Sequence, residues 1–221
     1  MHLEAMVSDI RLECVDPAGV ETDPAPWERI SGASLLASSW DGSCALSNDA
    51  ALRCRAAVGW DGGTPALRVV PGLGHVVQIA GHDSVCGRTD DGRVACLNRR
   101  DLTQPRTWTS TWIQELPEVI PVAGLAAHAC AVARDGAVYC WGQDINGQLG
   151  NGVEDGRGAE RAPARVLGLT GAVEVEVSMV HSCARLGDGS VWCWGNNRYG
   201  QCGDGSLGGI RATPVQVILV R

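Results

Sequence analysis

The sequence contains no phenylalanine and only two tyrosines, and it contains no lysine, so all 18 of its basic residues are arginine. The missing lysine is a compositional bias of the kind a GC-rich bacterial genome produces, and it carries little functional weight. Positive charge is scarce, with a formal net charge of −7. No dense basic run occurs, and the nearest is Asn98-Arg99-Arg100. Phosphate neutralisation dominates nucleic-acid affinity, so direct nucleic-acid binding is disfavoured. An acidic surface chiefly promotes solubility. No apolar run reaches the length needed to span a bilayer. Met1-His2-Leu3-Glu4-Ala5-Met6 has no positive region followed by an apolar one, so no signal peptide is read here. Phosphate-binding loops, nucleotide fingerprints and a Ser-His-Asp signature are also lacking. Neither a cofactor nor catalysis is expected.

What is present is a repeat. Cysteines pair at one fixed spacing, Cys44 with Cys54, Cys86 with Cys96, Cys130 with Cys140 and Cys183 with Cys193, each pair bracketing nine residues. The first cysteines lie 42, 44 and 53 residues apart. Constant local and variable longer spacing describes a rigid hairpin joined by variable loops. The turn triplets are Asn48-Asp49-Ala50, Asp90-Asp91-Gly92, Arg134-Asp135-Gly136 and Gly187-Asp188-Gly189. Asp-Gly between β-forming residues is a strong hairpin signal, and a left-handed conformation is wanted at the third position. Ala50 at that position implies either strain or a different turn.

Counting outward from a three-residue loop sets Cys183 opposite Cys193. If the flanking pair is hydrogen-bonded, the cysteines fall on a non-hydrogen-bonded rung, where Cα atoms approach to about 4.5 Å, within disulfide reach. Disulfides are favoured over reduced core thiols, and they imply an oxidising compartment. The expected location is therefore extracytoplasmic or secreted, in conflict with the unseen signal peptide; the alternative is cytoplasmic with reduced thiols. Zinc is the competing reading, through His128 with Cys130 and Cys140 or His181 with Cys183 and Cys193. It is disfavoured, because structural zinc sites use closely spaced Cys knuckles and four ligands.

Apolar stretches precede the hairpins at 76–81, 119–124 and 173–177 and read as strands, with Pro121 arguing for an edge or bulged position. Roughly four strands per repeat of about 45 residues predicts an all-β propeller. The units fall at 25–66, 67–113, 114–164 and 165–214, with partial repeats at 7–24 and 215–221.

His181-Ser182-Cys183-Ala184, then Asp188 through Asn197, then Tyr199-Gly200-Gln201-Cys202-Gly203, resembles the repeat of the regulator of chromosome condensation family. The unit starting at His128 is similar through Trp141-Gly142 and Gly147-Gln148-Leu149-Gly150. Two units are degenerate, with Arg55-Ala56 and Leu97-Asn98 in place of Trp-Gly. The cysteine brackets look like those of disulfide-bearing bacterial versions. The resemblance implies a seven-bladed propeller, of which this chain holds about half the usual repeats. It implies fold far better than function. Leu12-Glu13-Cys14 resembles the second half of a hairpin, and 215–220 resembles an opening strand. The two ends could complete one further blade and close a small ring, with a Cys14–Cys202 bridge as its clasp. The alternatives are an open arc and two unrelated buried thiols.

The expected function is protein–protein interaction through propeller loops, by a non-catalytic scaffold whose partner and oligomeric state the sequence does not name. The candidate loops are 143–161, with Asp144, Asn146, Glu154, Asp155, Arg157, Glu160 and Arg161, and 196–211, with Asn196, Asn197, Arg198 and Tyr199. Two alternatives stand beside it: a carbohydrate-binding or glycosidase-type propeller, for which Glu174 and Glu176 are the best carboxylate pair, and an exchange-factor-like regulator of a small GTPase. Trp141, Trp192 and Trp194 read as core packing rather than as a ligand platform, and the two histidines as caps of blade packing.

Overall fold

A computed structural model describes residues 33–39, 42–56, 68–81, 85–97, 110–125, 128–153 and 161–218. These residues form four antiparallel four-stranded sheets with no helix among them. The first blade holds β1 (Ala33–Ser39), β2 (Gly42–Ser47), β3 (Leu52–Ala56) and β4 (Arg68–Val69). The second holds β5 (Val76–Gly81), β6 (Val85–Thr89), β7 (Val94–Leu97) and β8 (Thr111–Trp112). The third holds β9 (Val119–Leu125), β10 (His128–Ala133), β11 (Val138–Gly142) and β12 (Arg161–Arg165). The fourth holds β13 (Ala172–Val177), β14 (His181–Leu186), β15 (Val191–Asn196) and β16 (Ile210–Gln216). Strands keep their sequence order across every sheet.

The hairpin at the centre of each blade follows from its turn. In blade four the Gly189 amide donates to the Leu186 carbonyl, and the Leu186 amide to the Ser190 carbonyl. The flanking pair is thus hydrogen-bonded, and three steps outward Cys183 faces Cys193. The same register sets Cys44 against Cys54, Cys86 against Cys96 and Cys130 against Cys140. All four pairs are disulfide-bonded, with Cα atoms 4.0–4.1 Å apart. The turn aspartates bond the main chain two residues on: Asp135 accepts from the Ala137 amide at 3.0 Å and Asp188 from the Ser190 amide at 2.9 Å. That is a structural task for these carboxylates. Ala50 adopts a φ of 58°, close to the 79° of Gly92 and the 81° of Gly136, so the first turn has the shape of the others. Pro121 sits on β9, an edge strand whose pairing with β10 is bulged nearby.

Side chains alternate across each strand, so every blade has a cysteine face and an opposite face. The core lies between blades. Cys44 and Cys54 pack with Val76, Val85 and Leu97 of blade two. Cys86 packs with Val119, Val122 and Trp141 of blade three. Cys130 and Cys140 pack with Val175, Ala184 and Trp194 of blade four. The first strands β1, β5, β9 and β13 touch in succession, which places them toward the common axis.

Three expectations need correction or relocation. The blades run a few residues later than the units counted from sequence, because β4 at 68–69 pairs with β3. Val215 and Gln216 do not open another repeat: they pair with Cys193 and Trp192 and complete the fourth sheet, satisfying the outer edge of β15. Packing joins blade one to two, two to three and three to four, and among the described residues nothing comparable joins four to one. They form an arc, and the expected closure through 7–24 lies outside them.

Candidate functional site

The connections from the third to the fourth strand of blades three and four are built alike. Asp144 Oδ1 accepts from the Leu149 amide at 3.0 Å, and Asn197 Oδ1 accepts from the Cys202 amide at 2.9 Å. Gln148 Oε1 accepts from the Asn146 amide at 2.7 Å, and Gln201 Oε1 from the Tyr199 amide at 2.8 Å. Each Gly-Gln-x-Gly loop thereby satisfies, with its own side chains, amides that no strand reaches. Leu149 and Cys202 are fully buried inside these turns.

This construction divides the expected contact residues. Asp144 and Asn197 are buried and serve as loop supports rather than as contacts; the reason is that their carboxylate and amide are the caps just described. Arg161 is half-buried at the start of β12, 3.9 Å from the Asp144 carboxylate. Asn146 and Asn196 are half-buried and join the two loops, Asn196 Nδ2 donating to Asn146 Oδ1 at 2.9 Å. Arg198 and Tyr199 are exposed, the guanidinium 5.6 Å from the ring centroid, and Tyr199 is 75% exposed. Glu154, Asp155, Arg157 and Glu160 lie outside the described residues. Leu207, 80% exposed, and Ile145, also exposed, were not singled out from sequence. Both follow turn residues, where composition gives no sign that an apolar side chain points outward.

The rest of the second loop is tied down. Asp204 accepts from Arg211 Nε at 2.7 Å and from Ser206 Oγ at 2.6 Å. The Ser206 hydroxyl, then the guanidinium, hold its carboxyl well below the usual range. Cys202, the candidate clasp, carries a free thiol. Its sulfur faces the Asn196 carbonyl at 3.9 Å, within its own loop and in the place Leu149 fills in blade three. Burial pushes this thiol up to about 11. Cys14 lies outside the described residues.

Between blades three and four is a buried polar cluster. Ser182 Oγ donates to the Gln148 carbonyl at 3.1 Å, and Trp194 Nε1 donates to the same oxygen at 2.8 Å. With its proton committed, the Ser182 oxygen accepts from His128 Nε2, 2.8 Å away. Burial, with a smaller contribution from His181, holds His128 down to about 4. This serine–histidine contact is no nucleophile, because Ser182 is fully buried and bonded to main chain. His181 bonds Ser178 Oγ through Nδ1 at 2.7 Å. Trp141 and Trp194 are core residues, as read, and Trp192 packs against the same cluster as Trp194. Glu174 is exposed and paired with Arg185 at 2.8 Å; Glu176 is exposed beside it in β13. Among the described residues no group of metal-ligating side chains converges.

Comparison with known proteins agrees with this architecture. Residues 135–185 and 180–201 each match the family described as Regulator of chromosome condensation (RCC1) repeat. Among curated proteins, the chain is 37% identical over 87 residues to the X-linked retinitis pigmentosa GTPase regulator homolog of Caenorhabditis elegans, covering 38% of this chain and 6% of that protein. It is 34% identical over 95 residues to the human E3 ubiquitin-protein ligase HERC2, covering 42% of this chain and 2% of that protein. The chain therefore spans only a small part of these relatives. Among solved structures, it is similar to yeast RCC1 (Prp20) bound to Kap60, with a TM-score of 0.68 and 20% identity over 84% of this chain and 49% of that one. It is similar to human WBSCR16 with a TM-score of 0.64 and 20% identity, over 85% of this chain and 53% of that one. On its repeated hairpins, its sheet topology and these likenesses, residues 135–201 carry repeats like those of the regulator of chromosome condensation (RCC1) family, and the chain has the β-propeller fold.

Proposed function

We propose that the chain is a non-catalytic scaffold that binds a protein partner through the joined loops of blades three and four. The observation that carries this reading is the Asn196–Asn146 hydrogen bond, which couples two internally capped loops bearing exposed Ile145, Arg198, Tyr199 and Leu207. Rigid loops lose little entropy on binding, and exposed aromatic, aliphatic and arginine side chains are the usual anchors of protein interfaces. The relatives include a GTPase regulator homolog and RCC1 in complex with Kap60, which makes a protein partner the natural class. The four hairpin disulfides support a location in an oxidising compartment.

The test is capture of partners by the immobilised chain and by a Tyr199→Ala/Leu207→Ala variant. Both side chains are exposed, so the variant keeps the wild-type unfolding midpoint. Loss of the captured species supports the reading. Identical capture by both proteins overturns it.

A further inference from the structure

The two ends of blades three and four expose different chemistry. The Gly-Gln-x-Gly loops follow the third strands at one end, and the aspartate turns precede those strands at the other. At the turn end, the Val76, Val119 and Ala172 amides donate to the carbonyls of Ala50, Gly92 and Gly136, each in the preceding blade. These bonds fix the start of three successive first strands, and Val76, Val119 and Ala172 are buried. The pairing with the second strand then slips by one residue in all three. A bulge re-aims the side chains beside it. Here it turns the next residues, Val77, Ile120 and Val173, out of the core. Val77 is half-buried, and Ile120 and Val173 are each 48% exposed.

Ile120 and Pro121 of β9 and Val173 of β13 wall a groove of about 350 Å³, floored by Val132, Ala133 and Gly136. Every residue that lines it is among the described ones, as are all four turns and the connections 70–75, 113–118 and 166–171 at this end of the blades. A glycine opens the groove. The Arg134 amide bonds the Glu118 carbonyl as the Gly187 amide bonds the Gly171 carbonyl. The Glu118 side chain lies over Gly92 of the preceding turn, and its carboxylate pairs with Arg134. Gly171 meets Gly136 backbone to backbone and has no side chain to lay over it. The rim is acidic. Arg53, Arg93 and Arg134, the arginines of the turns, are each paired with a carboxylate. Asp135 lines the groove and Asp188 sits on the next turn. Neither pairs with a cation among the described residues, and both accept from groups of their own turns.

We propose that this groove is a second protein-docking site, which takes an aliphatic side chain from a basic segment of a partner. Two half-exposed aliphatic residues and a proline supply apolar surface whose burial favours association. The carboxylates without a cation select lysine or arginine beside the anchor. The groove lies at the opposite end of the strands from the joined loops, so it stands apart from the reading above.

The probe is a fluorescently labelled six-residue peptide, two leucines flanked by lysine pairs, titrated against the full chain at low salt and read by anisotropy. Saturable binding is expected, weakened as salt screens the lysines. It is absent when glutamate replaces the lysines or serine replaces the leucines. Ile120→Ser with Val173→Ser removes the apolar walls and lowers affinity about tenfold. Asp135→Asn with Asp188→Asn keeps the turn hydrogen bonds, removes two charges and lowers affinity about fivefold. That variant reads the site even if the serine variant proves unstable. The Tyr199→Ala/Leu207→Ala variant binds the peptide as the wild type does. No saturable binding, equal binding of either control peptide, wild-type affinity in whichever groove variants fold, or loss of binding in the loop variant overturns the proposal.

Discussion

The indole nitrogen of Trp194 and the main-chain carbonyl of Gln148 are 2.8 Å apart, and this bond fastens the fourth blade to a loop of the third. The same oxygen accepts from Ser182, which also belongs to blade four, so one loop carbonyl receives two donors from the next blade. Trp194→Phe removes the stronger donor while leaving a ring in place. The expected loss is about 1–3 kcal/mol from the hydrogen bond and the smaller ring together. Denaturant unfolding measures it, and a loss under about 0.5 kcal/mol would mean the bond contributes nothing net.

The four hairpin turns allow a matched pair of substitutions. Gly136 has a φ of 81°, and a Cβ there would fall 2.8 Å from the Gly171 Cα of the following blade. Gly136→Ala combines left-handed strain with a backbone clash and is expected to cost about 2–4 kcal/mol. Ala50→Gly relieves strain at a φ of 58° and removes one nearly buried methyl. Those effects oppose each other, so the change stays within about 1 kcal/mol and on the stabilising side. Thermal midpoints of both variants check the contrast, and a stabilising Gly136→Ala would refute it.

His128 makes stability depend on pH. Its folded value, about 4, lies below its ordinary 6.5. The unfolded chain therefore binds the proton first as pH falls, and stability declines from about pH 6.5 down to about pH 4. The full loss is on the order of 3 kcal/mol. His181, also lowered by burial, acts in the same direction. His128→Gln keeps an amide donor for Ser182 and flattens this slope. Denaturation midpoints between pH 4 and 7 give the comparison, and an unchanged slope would exclude His128 as its source.

Each disulfide closes a short hairpin loop, and the chain-entropy relation assigns it roughly 2.5–3 kcal/mol before native strain. Among the described residues no core cluster includes Cys183 or Cys193; replacing both by serine is expected to cost at least that loop term, with a further contribution from Cys193, which is buried. Peptide mapping without reductant is expected to return four intra-hairpin links. Cys202, buried and raised to about 11, alkylates slowly in the native protein and rapidly in denaturant. Fast native alkylation would contradict its placement.

Much of this structure was legible because its rules are local. The ten-residue cysteine spacing and the aspartate turns fix a three-residue hairpin, and from that the cross-strand register and the four disulfides follow by counting. Alternation along β15 alone puts Trp192 and Trp194 on the face opposite Cys193. The loops were also found from sequence, but not the roles within them. Asp144 and Asn197 read as members of candidate binding loops and are buried caps, because the hydrogen-bond partner of a side-chain oxygen depends on how the chain folds back five residues later.

What the sequence determined by itself, then, was the repeating unit: turn, register, disulfide and the faces of each strand, all set by backbone geometry over about ten residues. Tertiary structure decided what each face meets. It placed Val215 on the edge of β15 and set Gln148 over Trp194. Identical motifs acquire different environments because burial and hydrogen bonding at a blade face are supplied by the neighbouring blade, and no local pattern encodes that neighbour.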